Sequence, residues 1–71
     1  MKLRATQIEV LTLAKVWAVD VHRISHHCGI GQRSALRRLE RLVRDGYLRE
    51  RSTWVYVLTD KGREALAGVK G

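Results

Sequence analysis

"GIGQRSALRRLERLVRDGYL", residues 29–48, sets five arginines among regularly spaced leucines, between a Gly-X-Gly turn and a closing glycine. At helical spacing Ala35, Leu39, Leu42 and Val43 fall at i, i+4, i+7 and i+8 and make one apolar stripe. Arg33, Arg37 and Arg44 then point the other way, Leu36, Glu40 and Arg41 border that basic face, and Ser34 and Arg38 occupy a flank. The pattern predicts a helix from about Gln32 to Asp45, stopped by Gly46 as the first residue past its end. One side of such a helix anchors it to a scaffold while the other offers positive charge.

Upstream, Asp20 is placed to cap a helix "VHRISHHC" (21–28), in which Val21, Ile24, Ser25 and Cys28 share a face. Gly29 ends it, and "GIG" is too brief for a strand; it suits a turn between two helices, with Ile30 directed into the core. Earlier still, Thr6 followed by Glu9 is a capping-box pattern, and the apolar residues of 8 to 18 carry a first helix onward. There Leu11, Ala14 and Ala18 form one stripe, which Leu13 and Trp17 widen.

Downstream, "YLRE" and "WVYVLT" are rich in β-branched and aromatic residues and are separated by "RST", the signature of a hairpin. Thr59 or Asp60 then caps a last short helix, "KGREALAGV", with Ala65, Leu66 and Val69 on one side. The expected fold is mainly α with a small β-hairpin (α+β), ordered helix, helix, helix, strand, strand, helix. It forms one domain over 1–71, with the helix pair at about 20–45 and the hairpin at about 47–59.

The chain is 71 residues long and carries 14 Lys and Arg against 7 Asp and Glu, a formal charge of +7. A chain of this size buries only roughly 60% of its unfolded surface, so its core is marginal and association with a second copy is a natural remedy. Its charge calls for an anionic partner. Ten of the bases are arginine, whose planar fork suits phosphate oxygens and guanine edges, so nucleic acid is the partner expected. Residues 32 to 51 hold seven arginines against Glu40, Asp45 and Glu50, an excess that neighbouring acids leave uncompensated.

Other classes find little support. Cys28 is the sole cysteine, so no intramolecular disulfide forms, and neither a membrane-spanning run nor a signal peptide is visible, which predicts a cytoplasmic, nucleoid-associated protein without a membrane partner. There is no nucleophile with a base at plausible spacing, no paired carboxylates in an apolar setting and no phosphate-cradling glycine loop, so neither an enzyme nor a cofactor is expected. His22 and His26 stand one helical turn apart beside His27 and Cys28. Cys28, however, belongs to the apolar stripe, and no second cysteine or nearby carboxylate completes a tetrahedral metal site.

Taken together, the helix pair resembles that of the winged helix-turn-helix regulators, most closely their MarR-like branch. Gly29, Ile30, Ser34, Ala35, Arg37, Leu42, Gly46 and Leu48 fill the family's pattern of turn glycine, aliphatic, polar residues, small apolar, arginine, leucine and closing glycine before a strand. "LTDKGREAL" is similar to the phrase with which such domains leave the wing, through Leu58, Thr59, Gly62, Arg63 and Leu66. The two stretches cover about residues 20 to 66. Full-length relatives carry further helices at both ends that form the dimer and often frame a small-ligand pocket; none is visible here, and no small-molecule effector is evident.

The resemblance implies a sequence-specific regulator of double-stranded DNA, a repressor, with its third helix in the major groove and the hairpin on flanking backbone or minor groove. It implies that Gln32, Arg33, Ser34, Leu36 and Arg37 face base edges or adjacent phosphates. Arg38, Arg41 and Arg23 would touch the backbone, and Arg51, Ser52 and Thr53 at the wing tip, helped by Arg49, would meet a minor groove or flanking phosphates. Leu13, Trp17 and Leu66 are the candidates for a homodimer seam. The alternative is a winged-helix module that docks a protein partner within a larger complex, for which Leu36, Trp54 and Tyr56 supply some apolar surface; RNA ranks below both.

Overall fold

Alternating periods of 3.6 and 2 in the apolar residues become helices and strands in the computed structural model, which describes residues 3–69. The elements are α1 (Ala5–Val16), β1 (Val19–Asp20), α2 (Val21–Cys28), α3 (Gln32–Arg44), β2 (Leu48–Ser52), β3 (Val55–Leu58) and α4 (Asp60–Ala67). The expected order of four helices and a hairpin is present. The sheet is larger than expected: β1 joins β3 antiparallel through Val19 opposite Tyr56 and Asp20 opposite Val55, making a three-stranded sheet in the order β1-β3-β2.

That extra strand explains why α1 stops early. The apolar run of 8 to 18 reads as one helix, yet the helix ends at Val16, because Val19 is drawn onto the edge of β3 and buried there completely. Two residues are too few to carry a period-2 signal of their own, so the strand exists only through its partner. The start of α1 also differs from the capping-box reading. Thr6 lies inside the helix, and it is Gln7 whose Oε1 accepts the backbone N–H of Arg4, at 2.9 Å, across the first turn.

The helix pair follows the local signals closely. Asp20 caps α2, its Oδ1 accepting from the Arg23 N–H at 2.6 Å, and Gly29 ends the helix in the left-handed region at φ 65°. The Ser25 hydroxyl donates to the Ile30 carbonyl at 2.6 Å, which stiffens the turn while Ile30 packs on the core. Gly46, at φ 86°, follows the end of α3 as the expected left-handed residue. Lys61 supports that helix end from α4, its ammonium donating to the Asp45 carbonyl at 2.7 Å, where a cation complements the negative end of the helix.

Val10, Leu11 and Ala14 of α1, Val21 and Ile24 of α2, Ala35, Leu39 and Leu42 of α3, and Tyr47, Leu48, Tyr56 and Leu58 of the hairpin bury against one another as a single core. Leu13, Leu36, Val43, Ala65 and Leu66 pack half-buried around it. Each fully buried aliphatic side chain contributes about 1.5–3 kcal/mol relative to its exposed state, and this shared core holds α3 in place.

The hairpin differs from its expected form at the tip. Arg51 and Ser52 continue β2, with a bulge between Glu50 and Ser52, and the turn is made by Thr53 and Trp54. Trp54 was expected in the second strand; instead it sits at φ 62°, with its N–H donating to Glu50 Oε2 at 3.2 Å. Its carbonyl accepts from the Val21 N–H at 3.1 Å, so the turn is tied to the start of α2. Thr59, rather than Asp60, caps α4, and Val69 lies past the end of that helix. The expected domain span of 1–71 reaches beyond the described residues at both ends.

Candidate nucleic-acid interface

Burial sorts the side chains of α3 into two populations. Ala35, Leu39 and Leu42 are buried, whereas Gln32, Arg33, Ser34, Arg37, Glu40, Arg41 and Arg44 are exposed along the opposite side. The arginine fork therefore projects from a helix whose own core residues hold it rigid. Among the described residues, the ion pairs are Arg63–Asp60 at 3.3 Å and the contact of His27 Nε2 with Glu9 Oε1 at 2.9 Å, so the α3 arginines carry no carboxylate partner.

Several candidates are drawn together on this face. Arg37, Arg38, Arg41 and Arg44 surround one shallow depression with Glu40. Arg38 is half-buried, and Leu36 turns toward the hairpin, where it lines a depression with Val43, Arg44, Glu50, Trp54 and Tyr56. Arg49, Arg51, Ser52 and Thr53 are exposed along β2 and the hairpin tip. Burial raises the Tyr56 phenol above its ordinary value, and the charges of Glu50 and Glu40 add to the rise, so Tyr56 stays protonated beneath this surface.

Arg23 stands apart from the α3 cluster. Its guanidinium lies 5.8 Å from the centre of the Trp17 ring, so the two residues singled out for different roles touch one another. Trp17 is 57% exposed and Val16 67%, whereas Leu13 and Leu66 are half-buried against the core. Of the seam candidates, Trp17 is thus the one with most surface to offer.

Sequence reasoning missed two participants. His22 on α2 places Nδ1 3.2 Å from Nε2 of Gln32, and Arg4, at the start of α1, lines a groove with Arg38 and Arg41. Neither leaves a local signal, because each meets α3 only through the packing of helices. The three histidines lie on the exposed side of α2, and a carboxylate is close after all: Glu9 reaches His27 from α1. Among the described residues, no group of three or more His, Cys, Asp or Glu side chains gathers. No helix among them is long and apolar enough to cross a membrane.

No family model and no curated protein matches the chain. Among solved structures, ZitR of Lactococcus lactis, wild type, superposes with a TM-score of 0.84 at 19% identity, over 94% of this chain and 48% of that one. The transcriptional repressor CouR, bound to p-coumaroyl-CoA, superposes with a TM-score of 0.80 at 32% identity, over 93% of this chain and 49% of that one. The fold is a winged helix of the MarR type.

In winged-helix terms α2 and α3 are the helix-turn-helix, β2 and β3 the wing, and β1 the short strand that ties the wing to the helix pair. The chain spans about half the length of each of these two structures. The winged helix also accounts for the "LTDKG" phrase. Thr59 Oγ1 donates to the Gly46 carbonyl at 2.6 Å and accepts from the Gly62 N–H at 3.0 Å, so one hydroxyl joins the end of α3 to the start of α4 across the base of the wing.

Proposed function

We propose that this chain is a sequence-specific double-stranded DNA-binding unit of a transcriptional repressor, acting over residues 1–71 as one winged-helix domain and without enzymatic activity. The observation that carries the reading is the division of α3, with Ala35, Leu39 and Leu42 buried and an arginine face, without carboxylate partners among the described residues, exposed beside the wing. The likeness to CouR, a transcriptional repressor at 32% identity, supports the same assignment.

In this reading α3 enters the major groove. Gln32, Arg33, Ser34, Leu36 and Arg37 meet base edges, with arginine suited to guanine and glutamine to adenine. Arg38, Arg41 and Arg23 neutralise backbone phosphates, and Arg49, Arg51, Ser52 and Thr53 bring the wing to flanking backbone or minor groove. Repression follows from occupancy of a site that polymerase needs. Two copies joined through Leu13, Trp17 and Leu66 would read two half-sites about 34 Å apart. These 71 residues show no effector motif, yet CouR holds p-coumaroyl-CoA, so an acyl-CoA is the first effector to test by release of bound DNA.

The deciding experiment is fluorescence anisotropy on random-sequence duplex at two salt concentrations, followed by selection of preferred sites. Log affinity should fall by about 0.9 per phosphate contact for each unit of log salt, and selection should return a palindrome. Weak binding at low salt with no selected site would overturn the DNA reading and favour a protein partner.

A further inference from the structure

We propose that the groove between the start of α1 and the far flank of α3 seats a backbone phosphate of DNA, on the strand opposite the one the wing meets. Arg4, Arg38 and Arg41 line this groove together with Thr6 and Gln7. The inference rests on the DNA reading above and adds α1 to the interface, an element that the helix-turn-helix and wing do not include.

The geometry begins with the two flanks of α3. At about 100° per residue, Leu36 and Arg38 stand roughly 160° apart around the helix. Leu36 opens onto the wing-side depression with Glu50 and Trp54, and Arg38 opens onto the groove shared with α1. A helix lying in a major groove about 12 Å wide has a sugar–phosphate wall on either side. The wing, with Arg49 and Arg51, stands at one wall, which leaves the α1 groove at the other.

The chemistry of the groove suits a phosphate. Its three guanidiniums have no carboxylate partner among the described residues. The first turn of α1 holds no acidic side chain, so the positive end of this twelve-residue helix adds to the arginines uncompensated. Gln7 uses Oε1 to accept the Arg4 N–H, which leaves its amide N–H₂ group to donate outward, and Thr6 contributes a hydroxyl. Arg41 also lines the central depression of α3, so positive charge runs unbroken from the recognition face into the groove.

The test uses the duplex recovered by site selection, with wild-type protein and Arg4→Ala, whose exposed side chain can be removed without touching the core. Arg4→Ala should weaken every duplex several-fold and alike, leave the selected sequence unchanged, and lower the salt slope by roughly 0.9 for each bound copy. In phosphate-ethylation interference it should reduce sensitivity on one strand of each half-site, and Arg51→Ala should reduce it on the other strand of that half-site. A neutral methylphosphonate at the affected phosphate should weaken wild type more than Arg4→Ala, which keeps only Arg38 and Arg41 in the groove, a comparison that holds the protein fold constant. Wild-type affinity and slope for Arg4→Ala, or a loss spread over both strands within one half-site, would overturn the groove assignment while leaving the DNA reading intact. Failure of wild type itself to bind any duplex would instead remove the reading on which the assignment rests.

Discussion

His22 and Gln32 are joined across the helix-turn-helix, Nδ1 of the imidazole lying 3.2 Å from Nε2 of the carboxamide. In the tautomer whose proton is on Nε2, Nδ1 accepts from the amide, a bond that would fix which way the carboxamide of Gln32 is turned. His22→Leu should therefore broaden the base preference at the position Gln32 reads, with a change in stability of no more than about 1 kcal/mol, since both side chains are exposed. Site selection with the variant checks this; an unchanged selected sequence would show that the pair does not orient Gln32.

Arg33 is exposed at the start of α3, without an acid partner among the described residues. Arg33→Ala should cost roughly 1–3 kcal/mol on the preferred duplex and relax specificity at one position, whereas Arg49→Ala should weaken all sequences alike. Competition binding against a panel of single-base variants separates the two, and uniform losses for Arg33→Ala would place that residue on the backbone.

Gly62 sits where no side chain fits. A Cβ there would run into the Tyr47 carbonyl oxygen and come within 2.7 Å of Leu58 Cδ1, and that carbonyl is already held by the Thr59 N–H at 3.1 Å. Gly62→Ala should destabilise the fold by at least about 1–3 kcal/mol, through overpacking that backbone cannot relieve. Thr59→Ala, which removes the helix cap, should cost about 1 kcal/mol. Urea midpoints give both values, and a larger loss for Thr59→Ala would reverse the argument.

Leu39 is completely buried in the stripe that anchors the basic helix. Leu39→Ala should lose about 2–5 kcal/mol, enough to unfold much of so small a domain at 25 °C. Circular dichroism melting reads the loss, and DNA affinity should fall only in proportion to the folded fraction.

Tyr56 introduces a pH dependence at the alkaline end. Its folded-state value is raised above the ordinary 10.0, chiefly by burial and then by Glu50 and Glu40, so folding favours the neutral phenol. The contribution is fully present below the ordinary value and is lost as pH rises through the raised one. Stability should fall above about pH 10 more steeply for wild type than for Tyr56→Phe, by urea unfolding at each pH; parallel curves would refute the linkage.

Where a residue's environment is set by neighbours a few positions away, the sequence alone was sufficient. The amphipathic stripe of α3, the Asp20 cap, the left-handed glycines at 29 and 46 and the α4 boundary all rest on contacts within one or two turns. These local rules, joined to an excess of arginine, determined the fold class and the face on which charge is offered.

What they could not determine lies in pairs far apart in the chain. β1 exists because Val19 meets Tyr56, Trp54 leaves its strand because the turn closes on Glu50 and Val21, and Arg4 joins Arg38 and Arg41 in one groove only once α1 and α3 are gathered around the shared core. Each depends on burying a shared core first, since the core alone decides which distant surfaces become neighbours. The sequence thus determined the helices and their charge, and the tertiary structure decided which side chains stand beside them.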